Sequence, residues 1–496
     1  MAFGKRIVFF AAVLSVALAA PAFSQSNESA APAATPAPVT APQAAPTATP
    51  APTPDTSTPA PAAAAPAAAT TAVLETPKPE VIPVPPEAQP NADGKIDPEA
   101  ATKAYLAYIK GDARKKSDEY FEGGYVLQAV DFGYALVVAG ILLWGRFSAR
   151  MRNLATRMTR SRFLQAPIYV IQYLIVTAIL TFPLTVYENF TREHKYGLSN
   201  QDFAGWFGDF IKLFGVNVLV FTILLTVLYA FMRWTKDNWW KWGAIISVIF
   251  AAILVMLVPI YVSPLINDYK PLPESQIKEQ ILSLARANGI PATNVYEFNA
   301  SKQSKRVSAN VSGLLGTTRI SMNDNLMNRS TPGEIRAVLG HEMGHYALGH
   351  SYTFLTWFLL LFFIAFGFAD WGFKKLTKVF GDSWDVHEIS DPAGLPLVFA
   401  LIGFISFVGT PVLNTMVRFQ EGQADIFGLN AAREPDGFAQ AALKLSEYRK
   451  LEPTPLEEFV FYDHPSGRTR ISMAMHWKAE HLHDTDMVQK LAHPGE

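Results

Sequence analysis

Hydrophobic positions along this chain gather in long blocks. Six apolar runs lie near residues 125–145, 166–187, 213–232, 243–262, 352–369 and 394–417. Each approaches or exceeds the roughly 18–20 residues with which a helix crosses a bilayer, so the pattern predicts a mainly α, polytopic membrane protein with about six transmembrane helices. The first run contains Asp131, and three others contain Pro183, Pro259, and Pro396 with Pro411. Such interruptions are tolerated where they face a protein interior or a water-filled cavity. Between the fourth and fifth runs the pattern becomes that of a mixed α+β insert, 263–351. There "ESQIKEQILSLARANGI" (274–290) has helical periodicity and a glycine stop, and "NVYEF" and "TTRISM" read as short strands. "TPGEIRAVLGHEMGHYALGH" reads as a helix capped by Thr331 with Pro332 at its first position.

Ahead of the membrane region (96–262) stand two segments of different character. Lys5 and Arg6 precede an apolar stretch from Ile7 to Leu18 and then small residues, the layout of a secretory signal over 1–24 with cleavage near Ser24–Gln25. Residues 25–95 are rich in Ala and Pro and too poor in apolar surface to offset chain entropy, which predicts a disordered tether. The loop 145–163 carries Arg146, Arg150, Arg152, Arg157, Arg160 and Arg162 and no acid, which puts it in the cytoplasm. Alternation then places Arg233, Lys236 and Lys241, and likewise Lys374, Lys375 and Lys378, inside as well. The insert 263–351 and the tail 418–496, joined by the span hairpin 352–417, both fall outside, on the periplasmic face of the inner membrane in a Gram-negative cell. Composition adds limits. Half the residues are apolar, the net charge of −1 gives no support to nucleic-acid binding, and with no cysteine any zinc must be held by His, Asp or Glu.

The stretch "VLGHEMGHYALGH" (338–350) carries the clearest chemistry. His341 and His345 are four residues apart, so on a helix they point the same way and can share one Zn²⁺. Glu342 between them can take a proton from a water activated there, the HExxH pattern of metalloproteases. Counted along one helix, His350 lies nine residues after His341 and on the far side, so it is expected to be a non-ligand near the membrane surface. A third ligand must come from elsewhere. Glu421 and Asp425 in "VRFQEGQADIFGLNAA" are again four apart; Glu421 could complete a His₂Glu site and Asp425 could accept the free N–H of a ligand histidine, though an acid-rich helix start would read the same way. The hairpin between His345 and Glu421 returns both to one side of the membrane.

With those residues in place, the chain resembles the integral-membrane zinc metallopeptidases of the type I CAAX prenyl protease kind, a gluzincin family. The similarity spans about 120–480, through "VYENFTREHKYGLSNQDF", "YVSPLINDYKPLPESQIKEQI", "ASKQSKRVSANVSGLLGTTRISMNDNL", "AVLGHEMGHYALGH", "RFQEGQADIFGL" and "YDHPSGRTRI". The resemblance implies a helical membrane barrel around a water-filled chamber, faced by a thermolysin-like zinc centre. It implies one Zn²⁺ per chain held by His341, His345 and Glu421, with Glu342 as general base. Asp425 would orient a ligand histidine, His464 would stabilise the oxyanion and Arg470 would support the site. His476, His481, His483 and His493 gain no such role. Where many relatives read "NAYxxG" this chain has "SANVSG", so Ser308 or Asn310 could bond a substrate backbone, with weaker support. The relatives' protease side faces the cytosol and they carry one more span ahead of the matching region, so prenylated specificity is not carried over.

These residues predict a zinc metalloendopeptidase acting on membrane-proximal or unfolded polypeptides, with the bilayer as its other partner. The substrate would lie extended against an edge strand near "TTRISM". Two rivals are a six-span transporter or channel with a structural zinc site, and a silent scaffold whose Ala/Pro arm binds partners. Neither needs Glu342.

Overall fold

The computed structural model describes residues 81–312 and 318–484; the expected signal and most of the expected tether lie outside the described residues. Helix α1 (Pro98–Leu106), capped by the Asp97 side chain, precedes the membrane region. Among the described residues, five helical stretches are long and apolar enough to cross a bilayer. They are Gly111–Trp144 (α2), Arg162–Lys195, Phe203–Ile266, His350–Trp384 and Pro392–Ala432. The short helix α3 (Phe147–Met158) follows α2, and the regular part of the second stretch is α4 (Arg162–Val186). At 64 residues, Phe203–Ile266 is far too long for a single passage. It breaks at Lys236, whose φ of 48° no helix accommodates, into α5 (Phe203–Thr235) and α6 (Trp239–Leu257), which pack against each other. With that break, the described residues hold six helices of crossing length, one for each apolar run.

The polar ends of the bundle sort into two groups. At one end Arg152 pairs with Asp385 at 2.6 Å and Asp391 at 2.5 Å, Arg146 donates to the Ser383 carbonyl, and Lys374 reaches Asp237 at 2.9 Å. The three positive loops therefore share one face. At the other end lies the insert, tied down by Asn200 donating to the Ser301 carbonyl (2.7 Å) and by Arg306 on Glu193 (2.7 Å) and Tyr120 (2.8 Å).

The insert starts with helix α7 (Gln276–Ala287) and a four-stranded sheet of order β1-β2-β4-β3. Its strands are β1 (Tyr269–Pro271), β2 (Val295–Phe298), β3 (Ala309–Ser312) and β4 (Arg319–Asn323). β2 and β4 run parallel and the other pairs antiparallel. The "RISM" part of the strand expected to receive substrate falls in β4, whose two flanks are hydrogen-bonded, so β4 is not itself the edge. Among the described residues the unpaired edge beside it is β3, whose residues are buried. Helix α8 (Pro332–Ala347) lies across β3 and leads into α9 (His350–Trp384); α10 (Leu395–Ala432), α11 (Pro435–Lys444) and, after a short helix at Pro455–Phe461, α12 (Gly467–Glu480) follow.

Residues 81–95, expected to belong to the tether, run as a strap held at a few points: Ile82 and Ala88, with Ile96 just after, are buried in a cluster with Phe438, Leu443, Ile471 and Met475. Polar anchors complete the strap. Lys478, wholly enclosed, donates to the Ala88 carbonyl at 2.7 Å and to Asp436 at 2.6 Å, and the Tyr105 hydroxyl donates to Asp436 at 2.8 Å. Lys478→Met keeps the apolar stem but strands both acceptors, so thermal unfolding in detergent should show a loss of about 1–3 kcal/mol. Tyr105→Phe should cost less, about 1 kcal/mol.

Candidate metal centre

Helix α8 starts from a capping box, in which Thr331 accepts from the Glu334 amide while Glu334 accepts from the Thr331 amide at 2.7 Å. It ends where Gly349 turns left-handed with φ of +63°. Between these stops the HExxH residues face α10, and glycines set the separation of the two helices. A Cβ on Gly428 would lie 2.7 Å from the His341 amide nitrogen, and one on Gly344 only 3.1 Å from the Ala424 backbone. Side chains of any size at these positions would push the helices apart.

The close approach brings three donors together. His341 Nε2 lies 3.3 Å from Glu421 Oε2, His345 Nε2 lies 3.5 Å from Glu421 Oε1, and the two Nε2 atoms are 3.2 Å apart. All three residues are buried. Glu421 Oε2 makes no hydrogen bond of acceptable geometry despite that company. A tetrahedral ion at about 2.0–2.1 Å from N and O donors sets those donors about 3.3 Å apart, so this set fits a zinc-sized cation.

Around the donors the other expected residues fall into place. Asp425 Oδ1 is 2.7 Å from His341 Nδ1, and Arg470 holds the same carboxylate through Nε at 3.0 Å and through Nη2. Burial opposes a charge on His341, but the Asp425 and Glu421 carboxylates together outweigh it and hold the ring's pKa up at about 10. His464 Nε2 lies 3.3 Å from Glu421 Oε2, its Nδ1 held by Asp463 at 2.8 Å. Glu342 is half-buried, with one oxygen enclosed and unpaired. Burial pushes its carboxyl up to about 8; His341 and Arg470 oppose the shift and Glu421 adds to it.

Two residues differ from expectation in position. His350 stays out of the three-donor set but is buried, its Nδ1 2.8 Å from His345 Nδ1. Counting along one helix failed because Gly349 breaks it. Ser308 is pinned in the sheet, accepting from the Asn323 amide at 2.9 Å and donating its own amide to the Asn323 side chain, whereas Asn310 lies on the edge strand β3. His476 and His481 sit on and just after α12 without entering the centre. Sequence reasoning missed Gly340, Gly344 and Gly428; small residues spaced by four on the HExxH helix were the available signal.

A membrane-spanning bundle whose HExxH helix meets a glutamate from the last crossing defines a membrane metalloprotease. Comparison with known proteins agrees. The profile of peptidase family M48 matches residues 271–478, and the CAAX prenyl protease N-terminal profile, described as five membrane helices, matches 99–268. In that second region this chain has four long crossings: α2, α4, α5 and α6. An uncharacterized metalloprotease of Bacillus subtilis, YhfN, is 29% identical over 69% of this chain and 79% of its own length. CAAX prenyl protease 1 of Saccharomyces cerevisiae is 27% identical over 60% of this chain and 69% of its own. The crystal structure of S. mikatae Ste24p shares the fold with a TM-score of 0.64, at 22% identity, covering 74% of this chain and 89% of that one. Residues 271–478 thus carry a peptidase family M48 region, and the transporter reading falls away.

Gly428→Ala tests the helix contact. It should cost about 1–3 kcal/mol through overpacking and lower the metal content of purified protein, measured by elemental analysis. Gly422→Ala on the same helix meets nothing within 4 Å and should leave both unchanged.

Proposed function

We propose that the protein is a zinc-dependent endopeptidase that hydrolyses membrane-proximal or unfolded polypeptides. The observation that carries this reading is the convergence of His341, His345 and Glu421 beside a carboxylate, Glu342, with an unpaired oxygen. His341, His345 and Glu421 would hold one zinc ion, which when bound supplies Lewis-acid polarisation of the scissile carbonyl and of water. Glu342 takes a proton from the attacking water and passes it to the leaving amine nitrogen. Its raised pKa suits a group that must both accept and release a proton. Asp425, clamped by Arg470, keeps the His341 proton on Nδ1. His464, braced by Asp463, donates from Nε2 to the developing oxyanion.

The substrate adds as a strand to β3, with Asn310 offering a side-chain contact. This mode reads backbone rather than side chains, and so suits extended polypeptide. The N-terminal strap enters on the insert's side of the bundle, and the arginine-rich loop lies on the other. Both support a periplasmic protease face in the inner membrane of a Gram-negative cell.

Glu342→Gln should cut cleavage of an unstructured test protein by about 10²–10⁴-fold while bound zinc is retained. Equal cleavage by wild type and variant would reject the assignment. For sidedness, the absence of cysteine allows single labels without background. In right-side-out membranes, an impermeant maleimide should label Gln276→Cys and leave Thr156→Cys unlabelled. The reverse pattern would place the protease in the cytoplasm.

A further inference from the structure

In the candidate metal set, both histidines have the second ring nitrogen committed, but to different partners. His341 Nδ1 faces a carboxylate, Asp425, which can only accept. His345 Nδ1 instead faces a third imidazole, with His350 Nδ1 2.8 Å away and the two rings 75° apart in plane. On its other side, His345 turns Nε2 toward His341 and Glu421, at 3.2 and 3.5 Å. A histidine that offers its Nε2 lone pair to a cation must carry its proton on Nδ1. At the His345–His350 contact, therefore, His345 donates and His350 accepts.

We propose that His350 is a positioning residue: its unprotonated Nδ1 accepts the His345 proton and holds that ring in the tautomer and rotation that present Nε2 to the metal. The inference rests on the metalloprotease reading above.

The local backbone is built for this contact. Along an unbroken helix, five residues advance the side chain by about 500°, so residue 350 would point well away from residue 345. Gly349 prevents that. Its left-handed φ of +63° ends α8 and starts α9 one residue later, turning His350 back against the last turn of α8. The ring is then 3% exposed. Packing alone would be served there by an apolar side chain, since burying an imidazole is costly; of the His350 nitrogens, Nδ1 has the His345 partner and Nε2 is buried without one. Orienting partners of this kind are commonly worth about 10–100-fold in metal affinity.

The test uses the detergent-solubilised full chain, with zinc affinity measured by chelator competition in wild type, His350→Leu and His350→Asn. Leucine fills the volume without an acceptor, whereas the asparagine Oδ1 lies near the position of the histidine Nδ1. Affinity should fall about 10–100-fold in His350→Leu and stay near wild type in His350→Asn. Both variants should unfold at the wild-type temperature when metal-free. The visible spectrum with Co²⁺ should change in the leucine variant alone. Wild-type affinity in His350→Leu, or equal losses in both variants, would overturn the proposal. A wild-type chain that binds no zinc would instead strike down the metal assignment, and this proposal with it.

Discussion

A glutamate can meet two histidines here only because two helix backbones lie almost in contact. The donors come from α8, which is not one of the stretches of crossing length, and from the last such stretch, α10, with a long helical hairpin between them. Gly340 and Gly344 on one helix and Gly428 on the other remove the side chains that would hold the axes apart. Helices usually pack 8–10 Å apart according to the residues at their contact, and small residues set the lower end of that range. The metal site is thus as much a consequence of missing methyl groups as of its ligands.

Burying so many ionisable groups in one place is costly unless each is paired. The structure answers with a relay of contacts that runs outward from the donors. Arg470 on α12 holds Asp425, Asp425 holds His341, and Asp463 holds His464. Farther out, Lys478 on the same α12 is fastened to the strap through Asp436 and the Ala88 carbonyl. Ala88 of the strap is therefore bonded to the same helix that carries the arginine steadying the centre.

Much of this was legible from the sequence. Long apolar runs fix the crossings because a bilayer leaves the backbone no alternative to the helix. HExxH announces itself because its residues are adjacent on one helical face. Glu421 and Asp425 were readable by topology, since a two-span hairpin must return to its starting side. Other features were not legible, for identifiable reasons. The break at Gly349 converts a residue that helical counting sends away into one that touches a ligand. Strand order within the sheet depends on non-local pairing, so β3 rather than β4 proved to be the open edge. The strap's few apolar residues, set among prolines and polar side chains, carry no periodicity and gain meaning only from the distant groove they fill.

The strap also bears on how the molecule is made. Its partners lie more than 300 residues later in the chain: Ile82 meets Gln440, and Ala88 meets Lys478. A growing polypeptide emerges N-terminus first, so these contacts can form only after Gln440 and Lys478 have been made. His464 and Arg470 belong to that same late segment. An incomplete chain could hold HExxH on a formed helix and still lack the elements that align it. Alignment of the metal centre therefore waits on a segment made more than a hundred residues after HExxH itself.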